Sequence, residues 1–400
     1  MTKSSAGSMQ YVGSPSMTRR NFARAAVAAG LGVAAAMALP GAGALAGEAQ
    51  SSASADASDT ADASASADAS DSASDGPYTV VDRLDREITF DSVPQRVAMT
   101  IMPLPSIFYS IMGNTDMIVG CNPSSITAYN NSTLKDMYPE LANAATDWCG
   151  TDFSVNIEEL LKLKPDVVFQ WVSQPESVQK MEDAGLKVVA LKYGTLDEIK
   201  VLFDLLGQVF KKEERVEFLM NYFDEKTAET TDVTSQIPQE EWPVAMELYG
   251  DMKVAAGGFC SYWIDGAATV NPAVELGVDS SSTEVDMEQI LVWNPDIIWI
   301  GNFTPTMPSD LYENKLEGQD WSMIKAVQNG QVYKIPIGGY RWDPPSIESP
   351  LVLKWMAQIA HPDMFPDMDM ADELREFYKD VYDYEISDEQ IEGILGNVQA

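Results

Sequence analysis

The residues best suited to chemistry in this 400-residue chain are aromatic rings and one guanidinium, in segments that follow apolar, strand-like runs. Trp148, Trp171, Tyr249, Tyr262, Trp263, Tyr340 and Trp342 all fall in such segments. Flat rings give large contact area at low entropic cost, which suits a large, partly apolar chelate or macrocycle; the alternative for any one of them is to plug a lobe core. Arg341 stands in Gly338-Gly339-Tyr340-Arg341-Trp342-Asp343-Pro344. In a cleft its planar fork would pair with carboxylates, catecholates or an oxyanion; on a surface it would pair with Asp343 or Glu348. Ser106, opening a helix after the first strand, offers a hydroxyl and backbone N–H groups to an anion, or is an ordinary N-cap. His361 is the single histidine, which rules out two-histidine zinc motifs. Cys121, Cys149 and Cys260 have no metal-ligand spacing; a Cys121–Cys149 bridge stays open, leaving Cys260 unpaired. With no Ser/His/Asp or Cys/His constellation, the expectation is a binding protein with no catalytic residues, no resident metal and no covalent cofactor.

Charge narrows the partners. Acidic residues number 61 against 26 basic, a formal net charge of −35. That disfavours nucleic acid and anionic membrane surfaces, both of which need basic side chains. Residues 77–400 keep 22 basic and 54 acidic residues, so the acidity belongs to the folded body. An anionic ligand would therefore need a cleft that is a local exception.

Residues 1–46 are expected to be an export signal. Arg19 and Arg20 precede an alanine-rich apolar run, and Ala44-Leu45-Ala46 offers a small-x-small cleavage site after Ala46. Paired arginines there resemble a twin-arginine signal, and if uncut the segment would anchor the chain in the membrane. Residues 51–75 contain only Ser, Ala, Asp and Thr, so 47–76 is expected to be a disordered spacer outside the cytoplasm.

The elements that must position the rings come from a duplication. Residues 156–170 and 286–300 match at a constant offset of 130, with Glu158/Glu288, Leu161/Leu291, Pro165/Pro295 and Asp166/Asp296 identical. Each copy reads as a short amphipathic helix, a Pro-Asp stop, and an apolar strand buried on both faces. Val97-Ala98-Met99 matches Val244-Ala245-Met246, and Gly185–Val188 matches Gly330–Val332. Two similar Rossmann-like α/β lobes follow, 77–194 and 232–345, with the ligand cleft between them. Residues 195–231 carry apolar residues at helical spacing and read as one long helix joining the lobes, bent or interrupted near Gly207 and Lys211-Lys212-Glu213-Glu214. Such a connector predicts modest lobe motion. Residues 346–400 read as helices packing on the lobes.

Val80-Val81-Asp82-Arg83-Leu84 to Phe90, Val93-Pro94-Gln95-Arg96-Val97, the paired E-x-x-L-x-x-x-P-D segments and Ala326–Tyr333 together resemble class III substrate-binding proteins of ABC importers, over about residues 78–360. The resemblance implies a monomer that carries an iron–siderophore, haem, corrinoid or molybdate/tungstate to a permease dimer driven by a cytoplasmic ATPase. Trp148 and Trp171 are similar to tryptophans lining the corrinoid pocket of vitamin B12-binding relatives, with extra residues here between Gly150 and Asn156. Arg341 falls where those relatives carry an acid, which shifts the expected ligand toward an anionic chelate bringing its own Fe3+, with a cobalt corrinoid as alternative. Glu158 and Glu288 are similar to the acids that pair with permease arginines; otherwise they are helix-start acids. Outside this class, a chelatase-like metal enzyme and a wall adhesin are the competing readings.

Overall fold

A computed structural model describes residues 76–250, 252–278 and 282–396. Arg19, Arg20, Ala44, Ala46 and the Ser/Ala/Asp spacer up to Asp75 lie outside the described residues. The described chain opens with an antiparallel hairpin, β1 (Tyr78–Val81) and β2 (Glu87–Phe90). Its turn is built on Asp82, 3% exposed, which accepts the backbone N–H groups of Leu84, Arg86 and, from the edge of the first sheet, Ala190. Burial opposes the charge on Asp82, but Arg86 and these N–H donors hold its carboxyl below the usual range.

The first lobe runs β3 (Val97–Met99), α1 (Leu104–Met112), β4 (Ile118–Cys121), α2 (Pro123–Asn130), α3 (Leu134–Met137), α4 (Ile157–Leu163), β5 (Val167–Trp171), α5 (Pro175–Asp183) and β6 (Val188–Leu191). Its sheet is wholly parallel, in the order β4-β3-β5-β6. Two helices follow, α6 (Leu196–Phe210) and α7 (Glu213–Thr234). The second lobe contains β7 (Ala245–Gly250), β8 (Lys253–Ala255), α8 (Gly258–Gly266), β9 (Ser282–Glu284), α9 (Met287–Trp293), β10 (Ile297–Ile300), α10 (Pro308–Tyr312), α11 (Lys325–Gln328) and β11 (Val332–Lys334). Helices α12 (Ser349–Ala360), α13 (Met370–Tyr382) and α14 (Asp388–Leu395) close the chain.

The duplication is visible in the geometry. Asn156 caps α4 and Asp286 caps α9, each accepting a backbone N–H of the first turn. Both helices stop on a left-handed residue before proline, Lys164 at φ 49° and Asn294 at φ 41°. The next aspartate then ties its strand to the neighbouring one. Asp166 accepts the N–H groups of Gln95 and Arg96, and Asp296 accepts that of Val244 at 2.9 Å. The sheets differ where the repeat ends. Sheet two runs β11-β10-β7-β8-β9, with β8 antiparallel to both of its neighbours, β7 and β9. Strand β8 begins three residues after β7, through Met252 at φ 48°, which is too short for the crossover a parallel pair needs.

The expected single connector is two helices. Lys211 takes φ 55° and the chain turns there. Gly207 lets the two segments approach, since a Cβ on it would lie 3.0 Å from Val216 Cγ2. The 22 residues of α7 give a strut of about 33 Å. Lys354 on α12, 3% exposed, fixes this strut by reaching Glu229 on α7 and Glu373 on α13. Each sheet has one face in its own core: Ala98, Val168 and Val188 in lobe one, Met246, Leu248, Ile298 and Ile300 in lobe two. The other faces, with Val97, Phe169, Ala245 and Trp299, join one continuous core that includes α6, α7 and the carboxyl-terminal helices. Cys121 and Cys149 are buried free thiols, each pushed up to about 12 by burial, so the bridge left open by the sequence is not formed.

The Pro-Asp staple makes a direct stability prediction. Asp296→Ala should lower the unfolding free energy by about 1–3 kcal/mol in urea titration, because Val244 N–H loses a charged acceptor. An unchanged midpoint would show that neither the bond to Val244 nor the pairing with Lys325 contributes to stability.

Candidate functional site

Three loops leave the carboxyl ends of β7, β10 and β11. Tyr249, from the end of β7, stacks on Phe303 after β10, with ring centroids 5.4 Å apart and planes at 24°. The Arg341 guanidinium lies 4.8 Å from the Phe303 centroid and 5.9 Å from that of Tyr340. The loop carrying Phe303 is wrapped around Lys334, whose ammonium donates to the carbonyls of Gly301, Thr304 and Thr306 at 2.8–3.0 Å. Burial pushes Lys334 down to about 8, with Arg341 also lowering it and Asp343 opposing.

The acids flanking Arg341 do not pair with it. Asp343 is fully buried and accepts the backbone N–H and side-chain amide of Asn302, at 2.8 and 3.2 Å. Glu348, 1% exposed, accepts Gly339 N–H at 2.8 Å, the Trp342 indole N–H at 2.6 Å and the Tyr382 hydroxyl at 2.9 Å. Cβ atoms on Gly338 and Gly339 would lie 2.2 and 2.5 Å from the Glu348 carboxylate, so only glycine fits this loop. Among the described residues Arg341 forms no ion pair. Tyr340 is 4% exposed, and burial pushes its hydroxyl up to about 12 against the lowering influence of the adjacent Arg341.

Trp342, Trp263 and Tyr262 support this loop from behind. The Trp263 indole donates to the Asp343 carbonyl at 3.4 Å, and Tyr262 packs edge-on against Trp263 at 4.9 Å. Burial raises the Tyr262 phenol above its usual range, with Asp224 and Asp197 of the connecting helices adding to it.

Lobe one contributes a second aromatic group. Trp171, 6% exposed, meets Phe153 edge-on at 6.0 Å and Tyr193 at 5.7 Å. Its indole N–H has no hydrogen-bond partner among the described residues. Tyr193 donates to the Pro345 carbonyl, and Thr133 N–H donates to Gly338 O at 3.0 Å, so lobe one touches the loop after β11. Trp148 is elsewhere. It is fully buried in the core on the other face of the sheet, donating to Ala145 O at 3.0 Å, and so plugs lobe one. Ser106 is not an N-cap: it is 3% exposed inside α1 and donates to Pro103 O at 2.8 Å, so its hydroxyl is not offered to an anion here. Glu158 and Glu288 are exposed near the starts of α4 and α9.

The site thus brings together Tyr249, Tyr340 and Arg341, with Trp171 across the lobe contact. Phe303, Tyr193, Lys334 and the role of Glu348 were missed in the sequence. Phe303 follows a strand just as the chosen rings do, and this was the available signal.

A family model described as "Periplasmic binding protein" matches residues 107–337. The molybdate-binding protein MolA of Haemophilus influenzae is 24% identical over 327 residues, covering 76% of this chain and 90% of that one. The iron(3+)-hydroxamate-binding protein FhuD of Bacillus subtilis is 25% identical over 204 residues, 49% of this chain and 64% of its own. A solved periplasmic solute-binding protein from Veillonella parvula superposes with a TM-score of 0.75 at 37% identity, covering 80% of this chain and 97% of that chain. The chain belongs to the periplasmic binding protein family and is a substrate-binding protein of the ABC-importer type.

Glu348 generates a pH prediction. Burial raises its carboxyl from 4.5 to about 7, against the donors Trp342, Tyr382 and Gly339. The folded protein holds this proton more tightly than the unfolded chain, so the stability it contributes is complete below 4.5 and is lost as pH rises through about 7. Urea unfolding at about pH 5 and about pH 8 should show a smaller loss for Glu348→Gln than for the wild type, by about 2–3 kcal/mol. Equal losses would show that Glu348 titrates as an ordinary acid.

Proposed function

We propose that the cleft captures an anionic metal chelate, with a ferric siderophore as the expected cargo, and delivers it to a permease dimer coupled to a cytoplasmic ATPase. The observation that carries this reading is Arg341: a guanidinium without a carboxylate partner among the described residues, stacked on Phe303, in a body whose formal charge is strongly negative. The indole N–H of Trp171 is a further polar group without a hydrogen-bond partner among the described residues. A cation and donors select a ligand rich in oxygen acceptors: carboxylate, catecholate or hydroxamate. The Tyr249–Phe303 stack adds a flat surface that only a ligand with extended planar parts can use.

A second reading, a molybdate-like oxyanion, is favoured by the similarity to a protein named for molybdate binding. The same donors serve it, without use of the stack. The corrinoid alternative loses the Trp148–Trp171 frame, because Trp148 sits in the lobe-one core. Binding without chemistry fits relatives that are themselves named as binding proteins. Export through the Arg19-Arg20 segment, with cleavage after Ala46, would place a monomer on the outer side of the cytoplasmic membrane. Glu158 and Glu288, one exposed acid per lobe, are read as the permease-docking pair.

Tryptophan fluorescence titrated with ferric catecholates, ferric hydroxamates, haem, cobalamin and molybdate should show submicromolar quenching by one of them. Arg341→Ala should weaken that binding about 10–100-fold, with Arg341→Lys recovering part of it. Silence toward every ligand would remove the proposal; a response to molybdate alone would install the second reading. Glu158→Ala combined with Glu288→Ala should abolish uptake by cells and leave the fluorescence titration unchanged, and unimpaired uptake would refute the docking assignment.

A further inference from the structure

We infer that each lobe meets the permease through an acid–leucine ridge, Glu158 with Leu161 on α4 and Glu288 with Leu291 on α9, and that the leucines add an apolar contribution to docking affinity. This rests on the docking reading above and adds its apolar half. Position by position, the seven residues of α4 and of α9 follow the same pattern of buried, half-buried and exposed positions, with Leu160 and Ile290 fully buried as the single anchor of each helix. Leu161 is 43% exposed and Leu291 44%. Three residues past the acid, each leucine is its neighbour on the helix surface. One exposed leucine is ordinary. The same leucine, equally exposed beside the same acid on both halves of a duplicated fold, is a surface presented twice.

A surface presented twice fits a partner that is itself double, and a permease dimer is one. A second copy of this chain would bring acidic ridges against an acidic body, and an anionic bilayer would repel it likewise. A protein receptor with a basic residue beside an apolar pocket complements both halves of the ridge. The lobes then diverge at the adjoining position. Lobe one carries Lys162, paired with Glu159 at 2.6 Å; lobe two carries Val292, 78% exposed, with Gln289 in place of the acid. Lobe two therefore presents the more apolar ridge, free of the lysine that would oppose a basic receptor, and provides the larger share of affinity.

The test uses the full chain without ligand and its cognate permease–ATPase complex in nanodiscs, with affinity measured at low and high salt. Leu291→Ser with Val292→Ser should weaken docking about tenfold and Leu161→Ser about threefold, both keeping the wild-type salt dependence, thermal midpoint and ligand titration. Glu158→Ala with Glu288→Ala should instead flatten the salt dependence. Leucine variants within twofold of wild type, alongside a weakened acid variant, would overturn the inference while leaving acid docking intact. If the acid variant also binds normally, the docking reading fails with it. Leucine variants that only dissolve a self-associated form of this chain would assign the ridge to a second copy and overturn the inference.

Discussion

A single buried carboxylate organises the loop after β11. Glu348 draws together the backbone of Gly339, the indole of Trp342 and the hydroxyl of Tyr382, three donors from two separate stretches of chain. Its neighbours extend the network. Tyr378, one turn before Tyr382, bonds Thr133 of lobe one at 2.9 Å, and the Thr133 backbone holds Gly338. The loop that presents Arg341 is therefore fixed at once to lobe one and to the carboxyl-terminal helices. An acid with no counter-cation in the core is costly unless its lone pairs are filled. Here three donors offset part of that cost, and the arrangement helps to secure one geometry for a loop that has two adjacent glycines.

Electrostatics follow from that placement. The body is acidic, yet Lys334 and Arg341 stand within a few side chains of each other in lobe two. Lys334 is consumed by three carbonyls and serves the loop of Phe303. Arg341 has no carboxylate partner among the described residues and lies against the rings of Phe303 and Tyr340. Because its surroundings are partly desolvated, the attraction it exerts on an anion is stronger than its single charge would have in water. The outward field of the body still opposes such an anion at a distance, so association gains nothing from steering and selectivity falls to contacts inside the cleft.

The sequence was most informative where local rules suffice. The helix, Pro-Asp and strand of residues 156–170 and 286–300 were legible because caps, a proline stop and apolar runs act within a few residues. The three-residue strands β8 and β9 were not, since their direction comes from a short turn at Met252 rather than from any periodicity. The break in the connecting segment had a visible mark in Lys211-Lys212-Glu213-Glu214, but only the left-handed Lys211 turns it into two helices. At the site, Arg341 could be chosen as a charge in an aromatic loop. Glu348 looked like its surface partner, because an acid seven residues away is indistinguishable in sequence from one buried by Tyr382. Trp148 and Trp171 frame one unit in sequence and lie on opposite faces of one sheet in space.

The continuous core beneath both lobes has a consequence for signalling. Lobes that share buried rings, braced by the α7 strut and Lys354, cannot swing apart without exposing that interior to water. A full cleft therefore cannot be announced by a wide closure, as a hinged clamp would do.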